Sequence, residues 1–497
     1  MMKFLRLSAL LLPWLCACTV GPDYVRPDAP VPAAFKENLA WKTAEPRDHL
    51  ARGKWWEAFN DPVLNGLQEQ VSISNQNIAQ AEARFRQAAA LLEATRAGLF
   101  PTLTGGLSTT RSRSSATTIA TPSATPVSRG VVTNHSLRFD ASWETDLWGR
   151  VRRTVEANVA SAQASIADIE SARLSAQATL AQSYFQLRSL DAQKRLFDEV
   201  IAAYSKAQQL TQNQYNVGVV PRADVVQATV QLKSAQAQAL DLGVQRAQLE
   251  HAIAVLMGKP PSEVTIAPAN VSLVPPAVPA AIPSELLERR PDIAAAERRV
   301  AAANAQIGVA RAAIFPSLTI SASTGLQSAT FDQWFTAPSR FWSIGPAIAQ
   351  SIFDAGLRRA QTDQAIAAYD ASVGLYRQTV LGSFQEVEDN LAALRVLEEE
   401  AQVQDEAVAA ARQSMEISLN QYRAGTINFL QVVVSQTAAL SNLRTQSDLL
   451  ARRMTASVLL VKALGGDWSA AQLPDRIPTT AQIRQGVQTG AKAGPAR

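Results

Sequence analysis

Cysteine is nearly missing from these 497 residues: only Cys16 and Cys18 occur, both ahead of Thr19. The rest of the chain can build no internal disulfide and no thiolate metal site. Histidine is as sparse, with three residues. His49, His135 and His251 fall in an N-terminal segment, a strand approach and a helix end. None has a nucleophile close in sequence or a metal-ligand spacing, which argues against an enzyme. Charged residues make up only 18%, and 47 basic against 43 acidic residues leave a net +4. That balance is too small and too evenly spread for a nucleic-acid partner. Beyond the N-terminus no run approaches ~18–20 consecutive apolar residues, which excludes a polytopic helical membrane protein. With 47% apolar residues and a mean hydropathy of −0.04, the chain is not disordered either.

What is present begins with a leader. Lys3 and Arg6 precede a short apolar run, Leu7 to Ala17, broken by Pro13. A basic start and a short apolar run read as a secretory signal over 1–17. The run ends in Leu15-Cys16-Ala17-Cys18, which resembles a bacterial lipobox with Cys18 as the lipidated first residue. Cys16 fits that pattern poorly, and a plain signal peptide cleaved nearby is the alternative. The covalent lipid on Cys18 is the only prosthetic group expected. In bacterial lipoproteins a residue other than Asp after the lipidated Cys, here Thr19, favours the outer membrane.

The remainder reads as two copies of one unit. Ala97-Gly98-Leu99-Phe100-Pro101-Thr102-Leu103-Thr104 recurs 215 positions later as Ala312-Ala313-Ile314-Phe315-Pro316-Ser317-Leu318-Thr319. The offset drops to 206 between Val151-Arg152-Arg153 and Leu357-Arg358-Arg359, and is 207 between Tyr215 and Tyr422. One loop is then nine residues longer in the first copy, within the Ser/Thr/Pro-rich stretch Thr109 to Ser128. The division expected is an anchor segment 18–61, repeat one over 62–259, a Pro-rich linker 260–283, repeat two over 284–468 and a polar tail 469–497.

Within each copy the expected order is a helix, two strands, a very long helix, a turn and a shorter helix. Leu137, Phe139, Ala141, Trp143, Thr145 and Leu147 alternate with polar residues. Leu318 to Thr324, and Trp342 to Ile352, alternate likewise, and the run after Pro101 does so more weakly. Period-two patterning over ~10 residues is the mark of transmembrane β-strands. A half-buried strand in a soluble sandwich is the alternative, and some 200 helical residues between the pairs weigh against it. Four strands close no barrel and lipid tolerates no open edge, so the barrel must be shared between chains. A pore favours twelve strands or more over eight, whose interior is filled by side chains.

The helices carry the length. No proline or glycine interrupts Arg150 to Tyr215, and Gly356 to Tyr422 holds only Gly374 and Gly382 inside it. At 1.5 Å per residue each spans roughly 100 Å. The flanking helices, Pro62 to Leu99, Arg222 to Met257, Ser284 to Ile314 and Ile427 to Leu464, are about half as long. Two stacked end to end would match one long helix. Small and apolar positions such as Ala157, Val159, Ala162 and Ile166 suit close helix packing.

These features together resemble the outer-membrane efflux channel family of the TolC and OprM type, in its lipoprotein branch. The residues that carry the likeness are Cys18 to Tyr24 with Arg26-Pro27, Trp55-Trp56 with Phe59-Asn60-Asp61-Pro62, and Trp143-Glu144 through Arg150. In the second copy they are Glu288 to Ile293, Phe315 to Leu318, Phe353 to Gly356 and Glu386 to Asn390. The resemblance implies a mainly α protein with a transmembrane β portion: a homotrimer whose twelve-stranded outer-membrane barrel continues into a long periplasmic α-helical barrel. It further implies passive export of drugs or toxic compounds, with no chemistry in this chain. Substrate would arrive from an inner-membrane pump of the RND type through a periplasmic adaptor protein.

It also assigns the tips. Adaptor contacts would fall on the turns holding Tyr215, Val217, Gly218 and Val219, and Tyr422, Gly425 and Thr426. Asp224 and Tyr422 match a latch between helix pairs, whereas the latch's partner Arg falls on Ile427. Acidic constriction rings fall on Gln431 and Val434, and Leu430 matches an apolar constriction residue. The expectation is a gate closed by Leu430 and Val434 and held by an Asp224–Tyr422 hydrogen bond; ordinary core roles for the two are the alternative. A periplasmic adaptor, also helical and sometimes lipidated, is the rival reading of the whole chain, and the paired amphipathic strands discriminate against it.

Overall fold

The computed structural model describes residues 19–32, 34–37, 54–113, 130–269, 274–276, 288–466, 468–483 and 485. The leader, Cys18, His49, most of the long outer loop and the end of the tail lie outside the described residues. The elements in chain order are α1 (Pro62–Ser74), α2 (Gln76–Ala97), β1 (Thr102–Ser112), β2 (Val132–Thr145), α3 (Arg150–Asn216) and α4 (Arg222–Leu256). They continue with α5 (Pro291–Ala312), β3 (Ser317–Ser328), β4 (Arg340–Ala349), α6 (Leu357–Arg423) and α7 (Phe429–Ala463).

The helices of the two copies agree in length: α3 and α6 have 67 residues each, α4 and α7 have 35, α2 and α5 have 22. Their offset is 215 up to the first strand and 207 from the long helix onward. The offset of 206 expected near Val151 is therefore corrected. Gly149 and Gly356, both helix N-caps with φ of 79° and 87°, are the equivalent pair, so the extra loop length is eight residues.

The half-length helices lie along the long ones, α2 and α4 against α3, α5 and α7 against α6. Ala162 is buried against Ala89 and Leu92, with Val159 and Ile166 beside them, and Ala157 is buried on the same helix, as close packing of small residues requires. The single helix expected from Pro62 to Leu99 is broken. Asn75 adopts an extended conformation, and its Oδ1 caps α2 by accepting from the N–H groups of Asn77 and Ile78 at 2.9 and 3.2 Å. Its Nδ2 donates to the carbonyl of Leu256, the last residue of α4, at 2.7 Å. α4 and α2 are thereby spliced end to end. Gly258, at φ 67°, lies so close that a Cβ there would meet the Ser74 carbonyl oxygen at 2.1 Å.

Midway along α3 sits the largest aromatic core. Trp55 and Trp56 pack with Leu64, Tyr184 and Phe185, and with Met454 and Val458 of α7. Asp61 caps α1 and also accepts from the Tyr184 hydroxyl at 2.5 Å. Burial and the Asp61 carboxylate push the Tyr184 pKa up.

The strands form one antiparallel sheet in the order β1-β2-β3-β4. Three expected ends shift. β1 runs on to Ser112, taking Thr109 to Ser112 from the loop; β2 stops at Thr145, before Leu147; β4 stops at Ala349, before Ile352. Ala355 at φ 51° and Gly356 turn the chain from β4 into α6, which ends the strand despite continuing alternation. Among the described residues no helix is long and apolar enough to cross a membrane.

Candidate functional site: the barrel wall and the helix tips

The register sorts the sheet into two chemically distinct faces. Leu107 pairs with Leu137, Leu137 with Leu326, Phe139 with Thr324, and Leu318 with Ile348, all on one face. Leu103, Leu107, Trp342, Ile344 and Ile348 are 68–77% exposed there. The opposite face carries Thr102, Thr104, Ser108, Ser136, Arg138, Asp140, Ser321, Ser323 and Ser343. On it Arg138 pairs with Asp140 at 2.6 Å and donates to Ser323 Oγ at 3.1 Å. One apolar and one polar face in strands of 10–14 residues are the wall of a membrane barrel with a wet interior. Among the described residues β1 and β4 leave their outer edges unpaired.

The N-terminal strand of chain docks where sheet meets helix. Val20 N–H donates to the Trp148 carbonyl at 3.1 Å, and Thr19 packs against Gly149, where a Cβ would clash at 2.5 Å. Buried Arg153 holds this segment through Asp23 at 2.9 Å and the carbonyls of Val20 and Gly21. Tyr24 then donates to Glu297, and Asn304 to the Pro22 carbonyl.

At the far ends of the long helices the two turns share one construction. Gly218 at φ 78° and Gly425 at φ 72° occupy the left-handed position that ends each helix. Val219 N–H donates to the Gln214 carbonyl at 2.9 Å, and Thr426 N–H to that of Gln421 at 3.0 Å. This bond, six residues back to one, is the Schellman pattern. Tyr215, Val217 and Val219 project from the first turn at 40%, 75% and 69% exposure.

Tyr422 is buried with Phe429, Val432 and Ala228, and its ring lies 5.3 Å from that of Phe429. Its hydroxyl donates to Gln214 Oε1 at 3.4 Å, across from the first long helix. The hydrogen bond expected from Asp224 is thus made by Gln214. Burial raises the Tyr422 pKa, Thr211 lowers it, and the Asp224 charge raises it further, so Asp224 acts on the hydroxyl through space. Burial also raises the Asp224 pKa. Ile427, where the resemblance places an arginine, packs against the Tyr422 cluster. Leu430 and Val434 are 50% and 54% exposed, and Gln431 is exposed beside them, while Phe429 and Val432 turn inward. Gln214 and Thr211 were missed from the sequence. Gln214 is next to Tyr215 in the turn motif, but nothing in its spacing marks it as a partner of Tyr422.

Residues 67–259 and 282–466 match the outer membrane efflux protein family. The chain belongs to that family. It is 31% identical over 460 residues to the toluene efflux pump outer membrane protein TtgC of Pseudomonas putida, covering 91% of this chain and 93% of that protein. The solved structure of the outer-membrane channel OprN superposes with a TM-score of 0.83 at 31% identity, over 91% of this chain and 100% of that one. The Campylobacter jejuni CmeC channel shares the fold, with a TM-score of 0.85 at 22% identity over 94% and 98% of the two chains. This efflux protein is accordingly an outer-membrane component of an export pump, with its barrel in the Gram-negative outer membrane and its helices in the periplasm.

Proposed function

We infer that three copies of this efflux protein close one twelve-stranded barrel above one helical tube, forming a passive exit duct. The observation that carries this is the four-stranded sheet with two open edges, continuous with helices of 67 residues. Open edges are not tolerated in lipid, and twelve strands leave a water-filled bore where eight would not. Ile352 and Phe353 beyond β4 are 99% and 88% exposed, and Phe100 before β1 is 68% exposed, as surfaces awaiting a neighbouring copy.

The duct does no chemistry. Its partners are a periplasmic adaptor and an inner-membrane pump of the RND type, which deliver drugs or toxic compounds; the relative above is named for toluene. The adaptor engages the turns at Tyr215 to Val219 and Tyr422 to Thr426. Leu430 and Val434 narrow the entrance, and Tyr422 with Gln214 and Asp224 ties the helix pairs together. Cys18 carries a lipid. Support for that comes from its neighbour Thr19, which docks at Gly149, between the end of β2 and the start of α3. Fractionation and planar-bilayer recording test the whole reading. A heat-modifiable trimer in outer-membrane fractions with a low resting conductance is expected. An inner-membrane location, or a protein that never conducts even with its tips loosened, would overturn it.

A further inference from the structure

The outer end of the barrel wall holds arginines with no ion-pair partner among the described residues. Between Thr102 and Phe139 there is no acidic residue, and Asp332 is the one acid between Ser317 and Phe353. Arg111 and Arg340 sit on the apolar face of β1 and β4, and Arg113 follows the end of β1 in the same alternation. All three are exposed, and none has an ion-pair partner among the described residues. Within one chain β1 and β4 lie at opposite edges of the sheet. The internal duplication says how they meet between chains.

The hairpins superimpose by 215 for β1 onto β3 and 207 for β2 onto β4, because Thr102 pairs with Ser142 and Ser317 with Ala349. The seam between copies then repeats the β2–β3 register. Ala141 opposite Ala322 becomes Ile348 opposite Leu107 of the next copy, and His135 opposite Ser328 becomes Trp342 opposite its Arg113. The match keeps apolar with apolar along the lower seam. At the outer end Arg111 of one copy lies opposite Ile344 of its neighbour and Arg113 opposite Trp342, which sets Arg113 diagonal to Arg340 at ~7–8 Å. Arginine on a lipid face is tolerated only near the interface, and like charges this close repel unless an anion lies between them.

We propose that each seam binds the phosphorylated headgroup of an outer-leaflet glycolipid, its phosphates held by Arg111 and Arg113 of one copy and Arg340 of the next. Arginine suits phosphate because its planar fork donates two parallel hydrogen bonds. The apolar Trp342 and Ile344 alongside select a lipid over free phosphate by contacting its acyl chains. The site rests on the trimer proposed above, since neither half exists in one chain.

Native mass spectrometry of the detergent-purified trimer tests it, with bisphosphorylated lipid A, monophosphorylated lipid A and inorganic phosphate as probes. Lipid A should bind in up to three copies per trimer, and Arg113→Gln with Arg340→Gln should weaken it about tenfold or more. The monophosphorylated form should bind the unaltered trimer more weakly, and inorganic phosphate should not displace the lipid. Equal binding by the variant, equal binding of both lipids, or displacement by phosphate each overturns the site. The seam is tested separately by disulfide formation. Ala349→Cys with Gly106→Cys should cross-link between copies, because Gly106 has open space at its Cβ and the registers place the two opposite each other. Ala349→Cys with Ser108→Cys should not. Loss of any trimer sinks the duct itself; a trimer cross-linked two residues off register sinks only the lipid site.

Discussion

Asn75 and Arg290 lie 215 residues apart and each donates to the last carbonyl of a 35-residue helix: Asn75 Nδ2 to Leu256 at 2.7 Å, Arg290 Nη1 to Ala463 at 3.0 Å. The duplicated unit thus splices its half-helices at the same place with different chemistry. Arg290 is buried and also pairs with Asp292 at 2.6 Å and Glu386 at 2.7 Å. Removing it strands a helix-end carbonyl and frees two carboxylates that are themselves part-exposed. Arg290→Ala should cost about 2–4 kcal/mol, less than a fully buried ion pair would. Asn75→Ala should cost about 1–2 kcal/mol through lost capping. Thermal unfolding of the detergent-solubilised protein should rank them in that order; equal midpoints would show that the second splice is not held by Arg290.

The tip glycines make a second, local prediction. Gly218 and Gly425 have positive φ but nothing within 4 Å of a built Cβ, so only backbone strain opposes a side chain. Gly218→Ala or Gly425→Ala should therefore cost about 1–2 kcal/mol at the turn alone. Amide exchange at Val219 or Thr426 should accelerate while global melting stays put. A global loss of stability would mean these turns are part of the folding core.

Much of this was legible in the sequence, and the exceptions have physical causes. Alternation such as Leu137 to Trp143 fixes a strand and its faces because the period is a backbone property. The Tyr-x-x-Gly turns were readable because only a left-handed glycine ends both helices this way. The break at Asn75 was not, since Ser74-Asn75 contains neither proline nor glycine and its cause is a carbonyl 181 residues away. Ile352 continues the alternation beyond β4, and only the turn at Ala355 removes it from the strand. Gln214 was missed because the partner of Tyr422 depends on how two long helices are rotated about their axes.

Adjacent residues on β1 test the two faces. Leu107 faces the apolar side and Ser108 the polar side, one position apart. Leu107→Arg places a charge mid-strand toward lipid and should cost ~2–4 kcal/mol. Ser108→Arg meets water. The heat-modifiable trimer should be lost or weakened in the first variant and retained in the second, and the opposite result would invert the barrel wall.

Acidity should tighten the tip. Burial raises the Asp224 carboxyl above its ordinary 3.8, so the folded tip holds the proton to higher pH than the unfolded chain does. The favourable contribution is complete below the ordinary value and is lost as pH rises through the raised one. Amide exchange at Gly218, corrected for its intrinsic pH dependence, should slow on acidification across that window. Asp224→Asn is neutral throughout and should flatten the response; an unchanged slope would assign the effect elsewhere.

The gate gives the most direct functional readout. Leu430 and Val434 stand on the face of α7 turned away from the Tyr422 cluster, so trimming them leaves that core intact. Leu430→Ala with Val434→Ala should widen the entrance without loosening the helices. Tyr422→Phe removes the 3.4 Å bond to Gln214 while keeping the ring against Phe429, so it should loosen the helices without widening the constriction. A long hydrogen bond between neutral groups is worth about 0.5–1.5 kcal/mol, within reach of what adaptor binding supplies. In single-channel recordings the apolar pair should raise the conductance of the open events. Tyr422→Phe should instead raise their frequency, and the three changes together should do both. If all three leave a low conductance unaltered, the constriction lies elsewhere along the tube and Leu430 and Val434 are contacts between neighbouring copies.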